Sequence, residues 1–184
     1  MTPTSSLTCR RGWLVLAAMA VVSSGASLCR GADAAVAPAS LSEGPQFGIT
    51  VYVGKPASEV WAALVTKEVV DRYYLVPLLK LEAKVGGRIA YGRDTAMIEG
   101  VIKQFEPQRS LVHTFRFVGS NDPETTVIYE VTPEGEAMCR LRIVHIGFKE
   151  ENQTFHDTVG GWPMIASSLK TLLETGKPLP WPKS

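Results

Sequence analysis

Cysteine is scarce in this sequence and unevenly placed. Only three cysteines occur, and two of them, Cys9 and Cys29, lie within the first 34 residues. Without that segment Cys139 stands alone, so no intramolecular disulfide can form and the fold must rely on its hydrophobic core. A chain of about 150 residues buries enough surface on folding to do so. We therefore predict one domain without disulfides.

Excess charge of either sign is also missing. Lys and Arg number 19 and Asp and Glu 18, which gives a formal net charge of +1. Removal of residues 1–34, which carry three arginines and one aspartate, changes that charge to −1. Such a balance provides no basic surface for nucleic acid or for an anionic membrane, so neither is expected as a partner.

The apolar run at 12–22 is shorter than the ~20 residues that a membrane-spanning helix needs. It follows Arg10-Arg11 and precedes Ala32-Asp33-Ala34, the order of regions in a secretory signal. The arginine pair is also similar to a twin-arginine signal, so both export routes stay open. We predict an exported protein, periplasmic or secreted, with no membrane insertion after cleavage. Its parts are a signal at 1–34, a flexible lead-in at 35–45, the domain at 46–177 and a tail at 178–184.

Motifs of known catalytic and cofactor sites are missing as well. There is no G-x-S-x-G, no phosphate-binding glycine loop, no nicotinamide fingerprint and no H-x-x-x-H pair. His156 is not separated from His113 or His145 by a spacing typical of metal ligands, so no metal or cofactor is expected. Cys139 falls on the apolar side of a predicted strand, which favours a small buried hydrophobe over a nucleophile. Gly86-Gly87 is assigned to a turn, and Gly160-Gly161 to close backbone approach at a helix start.

One long amphipathic helix is predicted near the C-terminus, from 158 to 175. Its start is assigned to Asp157 or Thr158 as the cap, with Pro163 tolerated in the first turn or so. Gly176 suits a left-handed C-cap. The helix's apolar residues recur at the spacing of a single face, which must be buried on a sheet: Trp162, Ile165, Leu169, Leu172 and Leu173.

The remainder predicts mainly strands. A strand at 46–53 is followed by a helix at 57–65 behind Pro56, and by a second short helix from Lys67 to Tyr73 or Tyr74 behind Thr66. Turn residues separate the later strands, which favours antiparallel pairing. These strands are expected at 79–85, 88–91, 97–105, 111–118, 126–132 and 139–145. The predicted class is α+β, a curved antiparallel sheet of about six or seven strands around the C-terminal helix.

This order resembles the helix-grip fold of the SRPBCC or START-like superfamily, to which the birch-pollen allergen belongs. Within it, the chain is most similar to the family of heat-shock ATPase activator homologues. The similarity is carried by segments 56–64, 84–89, 105–111, 144–148 and 161–163, followed by Leu169. These motifs, in this order, are specific for the fold and not for an activity. The family's Trp-Phe after the second helix is Tyr73-Tyr74 here.

The resemblance implies a cavity between sheet and helix that holds an apolar small molecule or lipid-like ligand. The alternative is that the inward side chains fill a core and leave no room. The candidate ligand-binding residues are Tyr74, Tyr91, His113, Phe115, Phe117, Tyr129, Leu141, Ile143, His145, Trp162 and Ile165.

Three functions follow as hypotheses. The first is a binding module for a hydrophobic molecule. The second is an enzyme resembling a cyclase or dehydratase, in which His113, Tyr129 or His145 act as acid and base, although structural or ligand-orienting roles are favoured for them. The third is a protein-interaction role like that of chaperone activators. Export argues against the third, because that chaperone is cytosolic.

Overall fold

The computed structural model describes residues 44–181, so the predictions on 1–43 and 182–184 lie outside the described residues. All described strands form one antiparallel sheet in the order β1-β7-β6-β5-β4-β3-β2. The predicted α+β helix-grip architecture is confirmed, with seven strands. The elements are β1 (Phe47–Val53), α1 (Ala57–Val65), α2 (Lys67–Tyr73), β2 (Leu78–Leu81), β3 (Arg88–Gly92), β4 (Ala96–Glu106), β5 (Ser110–Phe117), β6 (Thr125–Pro133), β7 (Cys139–Ile146) and α3 (Gln153–Thr175).

The two predicted inward histidines lie in one row across the sheet. Val127 on β6 pairs with His113 on β5 and with His145 on β7. Residues directly opposite in an antiparallel pair point to the same face. His113, Val127 and His145 are all buried, so this row belongs to the core face.

The strand predicted at 79–85 is wrong in length. It spans only Leu78–Leu81, and residues 82–87 form a loop before β3. The Glu82 carboxylate accepts a hydrogen bond from Arg88 N at 2.8 Å, which stabilises the turn. Gly86 has a φ of 79°, and a Cβ on Gly87 would lie 2.1 Å from Glu82 O. The two glycines therefore serve a turn, as predicted, but a longer one than a tight hairpin.

Helix α3 begins at Gln153, five residues before the predicted start. Asn152 is the N-cap, and its side chain accepts a hydrogen bond from Phe155 N at 3.0 Å. The assignment of the cap to Asp157 or Thr158 is wrong, because Thr154 and Thr158 are buried and the first turns pack on the domain. Tertiary packing here sustains helix through Gly160, Gly161 and Pro163, which alone favour a boundary.

Gly160 and Gly161 therefore lie inside the helix, and a Cβ on either would meet no atom within 4 Å. The explanation by close backbone approach is wrong. Glycine inside a helix is less favourable than alanine by roughly 0.5–1 kcal/mol, and Pro163 supplies no N–H to the preceding turn. The turn of α3 that contains Gly160, Gly161 and Pro163 is thus locally weak.

The second half of α3 is firmly attached. Trp162, Ile165, Leu169 and Leu172 are buried, as predicted, and Leu173 packs against the core. Gly176 ends the helix in the left-handed conformation at φ 78°. The helix end is tied to β1 by hydrogen bonds of 2.7 Å from Gly54 N to Glu174 and from Lys170 to the Tyr52 carbonyl. None of the helices in residues 44–181 is both long and apolar enough to cross a membrane.

Candidate functional site

A small cavity opens between α3, the end of α2 and strands β4 and β5. Its volume is about 30 Å³, room for one or two water molecules. Nearly all of its lining is apolar, and Leu75 beside it is half exposed. A larger molecule therefore requires movement of the walls. The lining residues are Tyr74, Leu75, Ile98, Phe115, Phe117, Asp157, Thr158, Gly161, Trp162 and Ile165.

A cluster of buried tyrosines adjoins this cavity. The rings of Tyr74 and Tyr91 stack with centroids 4.5 Å apart, and Tyr74 also contacts Tyr73 edge-on. Burial raises the pKa of all four buried phenols, those of Tyr73, Tyr74, Tyr91 and Tyr129. The cluster thus presents neutral hydroxyl groups, which donate or accept hydrogen bonds, within an aromatic interior.

His145 is the centre of a fixed hydrogen-bond chain. Trp162 Nε1 donates to His145 Nδ1 at 3.1 Å, and His145 Nε2 lies 2.7 Å from Thr125 Oγ1. Because an indole N–H only donates, Nδ1 must be unprotonated and Nε2 must carry the proton. Thr125 in turn donates to the Phe115 carbonyl at 3.1 Å. Both ring nitrogens are therefore engaged, which favours a structural role for His145 over an acid–base role.

His113 has the opposite tautomer and a free nitrogen. Its Nδ1 lies 2.7 Å from the Thr114 carbonyl oxygen, which only accepts, so Nδ1 carries the proton. Its Nε2 has no hydrogen-bond partner among residues 44–181. The ring stacks on Tyr129 with centroids 6.0 Å apart.

Burial keeps both histidines neutral. Desolvation lowers the pKa of His113 to about 4, against the smaller opposing effect of its bond to Thr114. Desolvation also lowers the pKa of His145 to about 3, and the neighbouring His113 contributes to this shift. Near neutral pH the interior therefore holds two uncharged imidazoles.

The structure brings some of the predicted site residues together and separates others. Tyr74, Phe115, Phe117, Trp162 and Ile165 line the cavity. Tyr91, Tyr129, His113 and His145 are buried among contacting aromatic rings beside it. Leu141 and Ile143 are buried core residues on β7 that pair with Val51 and Ile49 and do not line the cavity.

The remaining reactive residues lie elsewhere. His156 is exposed on the surface of α3 and contacts Phe155, whereas His113 and His145 are buried. Within residues 44–181 no group of three or more His, Cys, Asp or Glu side chains is placed to hold a metal ion. Cys139 is buried, as predicted, and burial raises the pKa of its thiol.

A larger groove, of about 230 Å³, lies on the outer face of β3 and β4. Its walls carry charges of both signs from Lys80, Arg88, Glu99 and Glu124. Glu99 already forms an ion pair with Arg116. The groove is open and holds none of the buried aromatic or histidine side chains, so the smaller cavity remains the candidate site.

Several residues of the site are absent from the sequence-based prediction. The sequence pattern assigns Asp157 or Thr158 to the helix cap and Gly161 to close backbone approach, whereas the structure places all three residues inside α3, where they line the cavity. Leu75 carries a signal in the sequence, since it follows the tyrosine pair at the end of a predicted helix. Gly100 and Thr114, which position His113, carry none, because their role depends on a contact between two strands.

An antiparallel sheet that packs a long C-terminal helix over an aromatic interior defines a START-like helix-grip protein. The chain belongs to the family described as Activator of Hsp90 ATPase homolog 1-like protein, whose model matches residues 55–174. The resemblance inferred from the sequence is thereby confirmed. No curated protein matches the sequence significantly.

Solved structures share the fold at low sequence identity. CalU16 from Micromonospora echinospora is 24% identical with a TM-score of 0.61, over 73% of this chain and 77% of that one. The Aha1 dimer from Colwellia psychrerythraea is 16% identical with a TM-score of 0.62, over 72% and 98%. PFC0360w, an HSP90 activator from Plasmodium falciparum, is 18% identical with a TM-score of 0.60, over 72% and 97%. These likenesses describe the fold alone.

Proposed function

We propose that this protein binds a small, mainly apolar molecule between the inner face of its sheet and α3. The observation that carries the proposal is the apolar cavity whose lining includes Leu75, Phe117 and Gly161, and which adjoins the buried tyrosines and histidines. Apolar walls with a few polar groups are typical of small-molecule sites. The 30 Å³ cavity is then the closed state of that site.

The site opens by movement of the first turns of α3, residues 153–159, which we call the α3 head. Gly160 and Gly161 directly follow the α3 head, and Pro163 removes one helical hydrogen bond there. Neither glycine is needed for close packing, since a Cβ would enter open space. Glycines without a packing reason, next to a proline, provide a hinge.

The attachments of α3 agree with a hinge at this place. Beyond the glycines, the indole of Trp162 is bonded to buried His145, and the helix end is tied to β1. The α3 head is held by Asp122, which accepts hydrogen bonds from Thr154 N at 3.1 Å and Thr154 Oγ1 at 2.6 Å. These bonds are partly exposed and exchange with water at little cost.

The α3 head buries only the side chains of Thr154 and Thr158 and contacts Phe148 through Phe155. The remainder of the helix instead buries large apolar side chains, those of Trp162, Ile165, Leu169 and Leu172. The α3 head is therefore easier to release than the remainder of the helix.

Alanine at the hinge is expected to stabilise the closed state. Gly160→Ala and Gly161→Ala should each raise the free energy of unfolding by about 0.5–1 kcal/mol, because alanine favours helix and enters open space. Gly160→Ala should also slow association of the neutral probe 2-naphthol severalfold, and it reports on the hinge alone because Gly160, unlike Gly161, does not line the cavity. Calorimetry with 2-naphthol establishes binding, and stopped-flow fluorescence measures the association rate.

The matched control for the hinge variants is Ser167→Ala, which improves helix propensity in the attached part of α3. It should leave the association rate unchanged. Equal association rates for the wild type, Gly160→Ala and Ser167→Ala would contradict the hinge. Failure of the wild type to bind 2-naphthol or other apolar probes at any accessible concentration would contradict the binding function itself.

We also propose that the protein acts after export, on the evidence of the signal-like sequence before residue 35. The mass of the protein isolated from its own cells measures whether residues 1–34 have been removed. An uncleaved chain would instead support the interaction role in the cytosol.

A further inference from the structure

The imidazole of His113 is held in one tautomer by contacts between β4 and β5. Its Nδ1–H donates to the carbonyl of the next residue, Thr114, at 2.7 Å. The Thr114 hydroxyl takes the place of a backbone acceptor and receives the hydrogen bond of Val101 N at 2.9 Å. The Thr114 carbonyl is thus left to fix the ring of His113.

Gly100 makes this arrangement sterically possible. A Cβ at Gly100 would lie 1.8 Å from the Thr114 oxygen and 3.3 Å from His113 Nδ1. The φ of Gly100 is not positive, so close approach and not backbone conformation requires glycine here. Three residues on two strands thus combine to orient a single imidazole.

The result is that His113 Nε2 is a buried nitrogen that can accept a hydrogen bond but cannot donate one. With Nδ1 protonated, Nε2 only accepts, and it has no partner within residues 44–181. The buried hydroxyls of Ser110 and Ser168 also lack partners there. A hydroxyl can either donate or accept a hydrogen bond, so these two do not require a donor from a ligand. A buried acceptor left without a donor is unfavourable, so Nε2 favours a molecule that brings an O–H or N–H group.

The distance from the cavity to His113 limits the shape of such a molecule. Phe115 and Phe117 line the cavity, and His113 is the next inward residue on β5. Inward residues of a strand are spaced by about 6.8 Å. A molecule that lies over Phe115 and reaches His113 covers one such spacing, about the length of two fused rings with a hydroxyl group.

We propose that His113 Nε2 is the hydrogen-bond acceptor that selects the ligand. The ligand class is an apolar molecule of about two rings with a hydroxyl donor at its inner end, as in a phenol or an enol. This proposal rests on the binding function proposed above, and it assigns His113 to ligand recognition with no covalent step.

The test compares 2-naphthol with 2-methoxynaphthalene, which has the same rings and no donor. The full chain should bind 2-naphthol about three- to tenfold more tightly, the contribution of one hydrogen bond. The preference should vanish in His113→Phe, persist in part in His113→Gln, which retains an acceptor, and remain unchanged in the exposed His156→Gln.

Nitrogen NMR of the wild type provides a readout that needs no variant. 2-Naphthol should shift the His113 Nε2 resonance, and the methyl ether should not. Equal affinity for the two probes, or a protonated Nε2 in the free protein, would overturn the role of His113 and leave the binding function standing. Absence of binding by both probes would overturn both.

Discussion

Trp162→Ala is expected to lower the free energy of unfolding by about 3–5 kcal/mol, as large aromatic truncations in cores do. The indole is 2% exposed and contacts Tyr74, Tyr129 and His145 edge-on. Its loss leaves a cavity at the centre of the domain, and it also deprives His145 Nδ1 of its only donor among the described residues. Urea denaturation measures the change.

Trp162→Phe separates the two causes of that loss. Phenylalanine fills much of the volume but has no N–H, so about 1–3 kcal/mol should be lost through the unpaired His145 nitrogen. A loss below about 1 kcal/mol for Trp162→Ala would contradict the account, because it would place the indole in an open pocket or on the surface.

The domain should lose roughly 4 kcal/mol of stability between pH 7.5 and pH 5. The buried imidazoles of His113 and His145 have pKa values lowered from 6.5 to about 4 and about 3. As the pH falls through this range, both imidazoles therefore take up a proton in the unfolded chain but not in the native state. Each unit by which a pKa is lowered corresponds to about 1.4 kcal/mol of stability. The stabilisation is complete above the unfolded pKa and is lost as the pH falls towards the folded values.

Urea denaturation at a series of pH values tests this expectation. His113→Gln should remove about half of the dependence, and His156→Gln, at the exposed histidine, should leave it unchanged. The carboxylates of Asp122 and Glu174 also have lowered pKa values, but they affect stability at lower pH than the histidines do. The ordinary pKa is 3.8 for Asp and 4.5 for Glu, which is already below this range. A stability that is flat from pH 7.5 to pH 5 would show that the histidines are not buried in neutral form.

Features set by local sequence were predictable. The apolar face of α3 and the cap at Gly176 follow from helical spacing and from the left-handed preference of glycine. Alternation along β5 placed His113, Phe115 and Phe117 on one face, and the structure has them there. The start of α3 was not predictable in this way, because Gly160 and Pro163 favour a boundary that packing overrides.

The chemistry of the site depends on contacts that no local pattern contains. The tautomer of His145 is set by Thr125 and Trp162, which are 20 and 17 residues away in sequence. The orientation of His113 depends on Gly100 in the neighbouring strand. The volume of the cavity depends on how all the inward side chains pack, so the sequence left an open site and a filled core as alternatives.

The most direct test of the central claim is native mass spectrometry of the protein isolated from its own cells. The account predicts a bound apolar molecule that is released on denaturation. That molecule should bear a hydroxyl or N–H donor, and a Trp162→Ala protein that still folds should retain less of it. Protein that is empty as isolated, and that takes up no apolar compound when loaded, would contradict a binding site between the sheet and α3.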